Sequence, residues 1–244
     1  MQVISRTLIS LCFTICMEKT DSVFNSRSIV SSQSGLHENL EKTVKKHLDH
    51  PYKKPIAQHT QDAFDQIKQK IESSLAQNVP LIFDSCCGTA LSTKILATEN
   101  PNALVLGIDR SSFRLSKEYN EALPDNAVLI QADCADFWVL AKNAGWKLKK
   151  HTIFYPNPYP KTKHLKRRWH AHPVFPTLLA LGGELELRTN WKIYADEFCA
   201  ALNFADQVCD GVNNISPDQV MTLFEKKYHE SGQELYQCRT LILR

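Results

Sequence analysis

A proline-fixed turn followed by a block of cations is the stretch of this chain with the clearest chemical meaning. In the segment Tyr155–Lys161 prolines stand at alternate positions, and each disfavours helix in the residue before it, so Asn157 and Tyr159 are expected to be extended. The basic residues that follow are Lys163, Lys166, Arg167 and Arg168. Cations bind phosphates, and a rigid turn can present polar atoms to one base. The pattern predicts a polyanionic ligand, since a merely solvated lysine-rich loop would not need the rigid turn.

Three aspartates follow apolar runs and indicate a nucleoside cofactor. Asp109 ends the second run, where an acidic residue of an open α/β sheet can accept hydrogen bonds from a ribose diol. Asp84 ends the first run, and Asp133 follows the third, where it could bind an adenine amino group. Helix N-capping is the alternative for Asp109 and Asp133, and it has more weight for Asp133. Gly88 is the one glycine in the turn after the first run. Without further glycines a pyrophosphate could not approach the backbone closely, so we expect a cofactor that carries no phosphate and assign Gly88 to its binding.

Apolar runs alternate with helical patterns through the middle of the chain. These runs begin near Leu81, Leu104, Ala127, Thr152 and Glu184. Continuous apolar runs are typical of buried parallel strands. A strand near Asp206–Cys209 and a final run over residues 235–243 can pair antiparallel at the sheet edge. The pattern predicts an α/β, Rossmann-like fold, with a doubly wound, mostly parallel sheet and an antiparallel C-terminal edge strand.

Two helical patterns and a polar segment precede the first strand. Apolar residues recur at helical spacing between Leu36 and Leu48, and again over Ala57–Leu75. The residues before them are rich in Ser, Asn and Gln, so we expect a flexible arm over residues 1–35 and a single domain over residues 36–244. We expect translation to start at Met17, with residues 1–16 an upstream extension, and secretion is the less favoured reading.

Composition restricts the classes of site and partner. The chain has 244 residues and a net charge of +3, so contact with nucleic acid has to come from local clustering of cations. Its eight cysteines include no CxxC pair and no spacing matched by histidines, which argues against a metal site and favours reduced thiols. The first apolar stretch is too short to span a bilayer. We therefore expect a cytoplasmic protein, a monomer or homodimer, without membrane contact.

From about Leu36 onward the sequence resembles the bacterial S-adenosylmethionine-dependent tRNA (guanine-N7)-methyltransferases. The strongest match is PNPYPKTKHLKRR, which is close to the family's Pro-Asp-Pro-Trp-Pro-Lys followed by basic residues. The segments Leu181–Leu185 and Arg188–Trp191 look like the family's glycine turn and Thr-Asp-Trp segment. Thr222–Lys227 is similar to its Thr-x-Phe-Glu motif. The resemblance implies a class I methyltransferase acting on guanine N7 in the tRNA variable loop.

The resemblance also implies roles for individual residues. Those implied for S-adenosylmethionine are Asp84, Asp109, Asp133 and Asn157, with Asn157 at the catalytic position. Those implied for the target guanosine are Lys161, Asn190, Thr222 and Glu225.

Asn157 and Asn190 stand where the family has aspartates. Guanine N7 carries a free lone pair, so methyl transfer needs alignment and no general base. A carboxylate would accept from the N1–H and exocyclic amine of guanine, whereas an amide offers one acceptor and one donor and loses part of that match, about 1–3 kcal/mol. Two alternatives stay open: a weakened or inactive relative that binds cofactor and RNA, and a methyltransferase acting on a different base or substrate.

Overall fold

Seven strands form one mixed sheet in the computed structural model, which describes residues 26–117 and 123–242. The strands are β1 (Leu81–Ser85), β2 (Leu104–Asp109), β3 (Ala127–Gln131), β4 (Lys150–Phe154), β5 (Gly183–Thr189), β6 (Val212–Ile215) and β7 (Leu235–Ile242). Their order across the sheet is β3-β2-β1-β4-β5-β7-β6. Strands β1 to β5 are parallel, and β7 is antiparallel to both β5 and β6.

Helices precede the first strand and connect the strands that follow it. They are α1 (Leu40–Leu48), α2 (Gln58–Ala76), α3 (Leu91–Glu99), α4 (Ser112–Leu115), α5 (Cys134–Asn143), α6 (Phe175–Leu181), α7 (Lys192–Phe204) and α8 (Leu223–Glu230). Two 3-10 helices, Thr162–Arg167 and Trp169–Ala171, lie between β4 and α6. Within the described ranges no helix has the length and apolar character needed to cross a membrane.

Strands β1 and β2 are buried along their whole length, because hydrophobic clusters cover both faces of the sheet. Phe83 belongs to the larger cluster, where it packs near Phe137 of α5. Ile82 and Val105 point the other way and belong to a smaller cluster with Leu96 of α3. Alternate side chains of one strand thus pack into two hydrophobic clusters on opposite faces of the sheet, which explains why these runs are apolar throughout.

The sequence predicts the fold class correctly, and it misplaces two elements. Strand β6 covers the outer edge of β7, so the C-terminal strand is second from the edge. The strand expected near Asp206–Cys209 is wrong, because Asp206 has a left-handed φ of +56° and β6 begins only at Val212. The helix expected from Phe113 ends at Leu115, and the last part of that expectation lies in residues 118–122, outside the described residues.

Residues 26–35, the described part of the expected arm, lie against the domain. The backbone N–H of Ser26 donates to Ser231 Oγ (3.1 Å), and Gln233 Nε2 donates to the Ser26 carbonyl (2.8 Å). Ser31 Oγ donates to the Pro160 carbonyl (2.8 Å). The domain boundary at residue 36 stays a prediction, and the expected start at Met17 lies outside the described residues.

Cys199 of α7 and Cys209 in the following loop form a disulfide, with Cα atoms 5.6 Å apart. The expectation of reduced thiols is therefore wrong for this pair. Cys238 of β7 lies beside it, with its sulfur 3.3 Å from that of Cys209. The sulfurs of Cys199, Cys209 and Cys238 all lie within 4.8 Å of one another.

Candidate functional site

A cavity of about 840 Å³ opens at the carboxyl ends of β1, β2 and β4. This is the edge at which open α/β sheets bind ligands. The sequence-predicted residues that line it are Gly88, Asp109, Asp133, Asn157, Lys166, Arg167 and Thr222. The sequence-predicted residues outside its lining are Asp84, Lys161, Lys163, Arg168, Asn190 and Glu225.

The loop after β1 forms one wall and takes left-handed backbone angles at three positions. The φ angle is +63° at Cys86 and +60° at both Gly88 and Ala90. A left-handed residue other than glycine costs about 1–2 kcal/mol, so Cys86 and Ala90 replace glycines at a cost in stability. Gly88 donates its N–H to Asp109 Oδ2 (3.0 Å), which joins this loop to the end of β2.

Asp109 is only 3% exposed, and its carboxylate faces the cavity. Its Oδ1 accepts from the N–H of Ser111 (2.8 Å), while Oδ2 accepts from Gly88 and lies 3.5 Å from the Arg114 guanidinium. A carboxylate oxygen has about two lone-pair sites. Oδ1 therefore keeps one acceptor site, which fits a ribose hydroxyl.

Asp133 caps α5 and also lines the cavity. Its Oδ1 accepts from the N–H groups of Ala135 (3.0 Å) and Asp136 (3.2 Å). The N-capping alternative weighed for Asp133 is thus confirmed, and the residue holds the start of α5 against the cavity.

Asp84 is fully buried beneath the loop and does not reach the cavity. Its Oδ2 accepts from Ser92 Oγ (2.6 Å) and Thr93 Oγ1 (2.7 Å), and its Oδ1 accepts from Thr152 Oγ1 (3.0 Å). Burial raises its pKa to about 6, although these hydrogen bonds favour the charged form. The carboxylate joins β1 to α3 and β4, so its geometry gives no support to the cofactor contact expected from the sequence.

The turn after β4 is bent more sharply than the sequence predicts. Tyr155 and Tyr159, each directly before a proline, have φ of +50° and +46°, so the expectation of an extended Tyr159 is wrong. The bend is held by Tyr155 Oη, which donates to Glu225 (3.0 Å), and by the Tyr159 N–H, which donates to Asn157 Oδ1 (3.4 Å). Within the described part of the chain the amide nitrogen of Asn157 has no partner, so it is available to a ligand at the cavity wall.

Arg168 is completely buried, and the prediction that it binds phosphate is wrong. Its guanidinium pairs with Glu197 (2.5 Å) and also donates to Gln33 Oε1 (3.1 Å) and the Tyr159 carbonyl (3.3 Å). Glu197 lies 29 residues along the chain, on α7, where no local pattern connects it to the cationic block.

The other cations of that block are exposed. Lys166 and Arg167 line the cavity, and the Arg167 guanidinium lies 5.8 Å from the centre of the Tyr159 ring. Lys163 is exposed on the first 3-10 helix. Arg110 and Lys227 are exposed cavity residues that the sequence reasoning missed. The available signal for Arg110 was its position directly after Asp109.

The predicted guanosine ligands are divided between the cavity and the interior. Thr222 lines the cavity and caps α8 by accepting from the Glu225 N–H (2.9 Å). Glu225 is fully buried, and its carboxylate accepts from Tyr155 Oη, from Arg188 (2.9 Å) and from the Met221 N–H. Burial and the neighbouring Glu225 charge raise the pKa of Tyr155, so its hydroxyl stays protonated and donates.

Asn190 lies outside the cavity lining and donates from Nδ2 to Gln233 Oε1 (2.8 Å). Lys161 is exposed on the turn beyond the lining. Protein partners therefore occupy Glu225 and the amide nitrogen of Asn190. Asn157 and Thr222 are the predicted uncharged polar side chains that line the cavity.

The sequence is similar to those of known methyltransferases. The family model described as "Putative methyltransferase" matches residues 77–238. The tRNA (guanine-N(7)-)-methyltransferase of Treponema pallidum (strain Nichols) is 29% identical over 164 residues, which is 65% of this chain and 65% of that protein. The protein of the same name from Nocardia farcinica is 29% identical over 181 residues, which is 65% of this chain and 66% of that one. The chain thus spans about 65% of the length of these relatives.

Solved structures resemble the chain in fold. The structure of the 16S rRNA methyltransferase KamB has a TM-score of 0.55 at 15% identity and covers 72% of this chain and 94% of its own. An antibiotic-related methyltransferase has a TM-score of 0.54 with the same identity and coverage. These are class I methyltransferase folds, and at this identity the likeness concerns the fold alone. Because the family model spans more than half of the sequence, the chain belongs to this methyltransferase family.

Proposed function

We propose that this chain transfers a methyl group from S-adenosylmethionine to N7 of guanine in the variable loop of tRNA. The observation that carries the proposal is the combination of groups in one cavity: Asp109 for a ribose, the Asn157 turn for a base, and Lys166 and Arg167 for phosphates. The names of the curated relatives support this choice of substrate, and a tRNA substrate implies the cytoplasm.

The cavity fits a nucleoside cofactor without a phosphate. Asp109 Oδ1 keeps an acceptor site for a ribose hydroxyl, and Phe154 and Tyr155 supply aromatic wall. The Gly88 N–H already donates to Asp109, so it is not free for the backbone contact that a pyrophosphate needs. When bound, S-adenosylmethionine supplies an electrophilic methyl group.

The residues of this chain then act by alignment. No side chain has to remove a proton, because guanine N7 already has a lone pair. The bent backbone at Tyr155 and Tyr159 holds Asn157 at the cavity wall, and the buried Glu225 holds Tyr155 in turn. Strained backbone held by its surroundings is frequent at functional sites, where it fixes the geometry of reacting groups.

Cations on several walls of the cavity bind the RNA phosphates in this proposal. Lys166 and Arg167 come from the first 3-10 helix, Arg110 follows β2, and Lys227 lies on α8. Lys163 is exposed on the same 3-10 helix, outside the cavity lining, and adds to the positive charge there. An RNA that approaches the cavity would meet positive charge from three elements, which favours a folded polyanion over a small neutral substrate.

Methylation of unmodified bulk tRNA with labelled cofactor, followed by nucleoside mass spectrometry, tests the proposal. We expect N7-methylguanosine with the wild type. Asp109→Ala should lower cofactor affinity in calorimetry and reduce the product, whereas the exposed Asp218→Ala is a matched control and should change neither. Cofactor binding without transfer to any RNA would instead support an inactive relative, and methyl transfer at another atom would support a different substrate.

A further inference from the structure

Phe224 is an exposed aromatic residue in the wall of the cavity. It lies in the first turn of α8 and is 47% exposed, although burying a phenyl ring is favourable. Its neighbours fix its direction, since Thr222 caps the helix and Glu225 is fully buried. The cavity therefore contains an apolar ring whose position is set by the fold and which lacks complete cover from the described residues.

Other rings support Phe224 from within the protein. The ring of Tyr228, one turn later on α8, is stacked with it at a centroid distance of 6.1 Å and an interplanar angle of 23°. Tyr228 in turn lies 5.6 Å from the ring of Tyr155, in the turn after β4. The three rings form a row that ends at the exposed Phe224, so the outermost ring is held in place before any ligand arrives.

Cations line the same cavity as this ring. Lys227 follows on the same helix, and Lys166 and Arg167 line the same cavity. Aromatic rings among cations are characteristic of sites for unpaired nucleotides, where the ring stacks on a base and the cations hold the backbone.

We propose that Phe224 stacks on the base of the target nucleotide when that nucleotide is turned out of the RNA structure. The inference rests on the proposed function and adds a base-binding residue to it. Stacking on Phe224 would hold the base in the cavity near Asn157 and would compensate part of the cost of unstacking it from the RNA. A guanine offers a face for stacking as every base does, so Phe224 contributes to affinity and alignment, while polar groups choose the base.

Binding to two forms of one tRNA tests the stacking directly. One form is intact, and the other carries an abasic ribose in place of the variable-loop guanosine, so the phosphates are the same and only the base is missing. Phe224→Ala should weaken binding of the intact tRNA by roughly 5- to 150-fold, the range expected for one stacked base. It should leave binding of the abasic tRNA unchanged, and Phe224→Tyr should restore binding of the intact form.

Phe113→Ala is the matched control, because Phe113 is 69% exposed on α4 and lies outside the cavity lining. Cofactor affinity and the melting temperature are measured for every variant. Equal affinity of Phe224→Ala and wild type for the intact tRNA would overturn the inference, as would a wild type that binds both tRNAs equally. If Phe224→Ala lowered only the affinity for the cofactor, the ring would belong to the cofactor site, and this too would overturn the inference. Failure of the proposed function would be distinguishable, since the wild type would form no N7-methylguanosine even where it prefers the intact tRNA.

Discussion

At the scale of single residues, Arg167 and Arg168 show how adjacent side chains of one type acquire opposite roles. Arg167 is exposed at the cavity, whereas Arg168 is buried against Glu197 and Gln33. Burial by itself raises the pKa of Glu197, but its bonds with His170 and Arg168 outweigh burial and lower that pKa to about 2. The carboxylate is therefore charged at neutral pH and needs the Arg168 guanidinium as its partner.

We predict that the two arginines separate binding from stability. Arg167→Gln should weaken tRNA binding across sequences and flatten its salt dependence by about one unit, while leaving stability unchanged. Arg168→Gln should lower the free energy of unfolding by about 3–5 kcal/mol, because it removes the guanidinium that neutralises the buried Glu197 carboxylate. Filter binding at several salt concentrations and urea unfolding measure the two effects. A flattened salt slope without destabilisation in Arg168→Gln would contradict the assignment.

Replacing Asn157 or Asn190 by the aspartate of the family pattern should have different effects on the formation of N7-methylguanosine. Asn157→Asp keeps the acceptor for the Tyr159 N–H and adds a carboxylate at the cavity wall, so N7-methylguanosine formation should rise, by at most one charge-assisted hydrogen bond of about 1.5–3 kcal/mol. Asn190→Asp should gain less, because its carboxylate would face Gln233 Oε1 and force that amide to turn away from Ser26. The measurement is kcat/KM on unmodified tRNA. Lower activity of Asn157→Asp would favour a site adapted to another base edge.

At the scale of elements, the first turn of α8 joins three parts of the molecule. Thr222 caps the helix, and Glu225 accepts hydrogen bonds from Tyr155 after β4 and from Arg188 on β5. The resemblance implies that the Glu225 carboxylate contacts the target guanosine. In the structure that carboxylate is buried and bonded to other residues of the protein. Glu225 holds the turn that carries Asn157, while Phe224, which the motif reasoning left without a role, reaches the cavity.

The disulfide joins α7 to the loop before β6, and its reduction should destabilise the chain. A bond between Cys199 and Cys209 closes a loop of sequence separation 10, which corresponds to about 2–3 kcal/mol by the chain-entropy relation. We expect two more titratable thiols after reduction of the denatured protein and a lower urea midpoint for Cys199→Ser. An unchanged thiol count on reduction would show that the pair is not bonded in solution.

At the scale of the whole molecule, a buried histidine makes stability depend on pH. His151 lies in the core, where its Nε2 bonds Ser85 Oγ (2.8 Å), and the same oxygen accepts from Trp138 Nε1 (3.0 Å). Ser85 Oγ can donate to Nε2 of His151 or accept from it, depending on the tautomer of the neutral ring, and His151 Nδ1 is buried without a partner among the described residues. Burial lowers the pKa of His151 to about 3.

The sign of the effect follows from this lowered pKa. Below the unfolded pKa of about 6.5 the unfolded chain takes up a proton that the folded chain does not, so stability falls as the pH falls toward about 3. Each pH unit in this window costs about 1.4 kcal/mol. Between pH 6.5 and 5 the wild type should lose about 1.6 kcal/mol more than His151→Phe in urea unfolding, because the full slope is reached only about one pH unit below the unfolded pKa. Equal slopes for the two proteins would contradict a neutral buried His151.

Local sequence pattern is enough to predict the α/β class, the parallel strands and the position of the cavity at their carboxyl ends. Each of these depends on local pattern: continuous apolar runs need a sheet covered on both faces, and residues such as Asp109 that follow such runs must lie at the same edge. The prolines around Asn157 predict a rigid turn, but not its left-handed bends at Tyr155 and Tyr159, which oppose the local preference of residues before proline. Strand β6 was misplaced because its short, polar run has little local signal.

Which polar residues line the cavity and which face the protein interior depends on the packing of distant elements. Arg168, Glu225 and Asp84 look in sequence like functional residues, yet each is buried against partners from other elements. The pairing of Cys199 with Cys209 likewise depends on how α7 packs against the following loop. A buried charge is stable only when its partners are in place. Because packing brings these partners together from distant parts of the chain, the local spacing of residues cannot predict them.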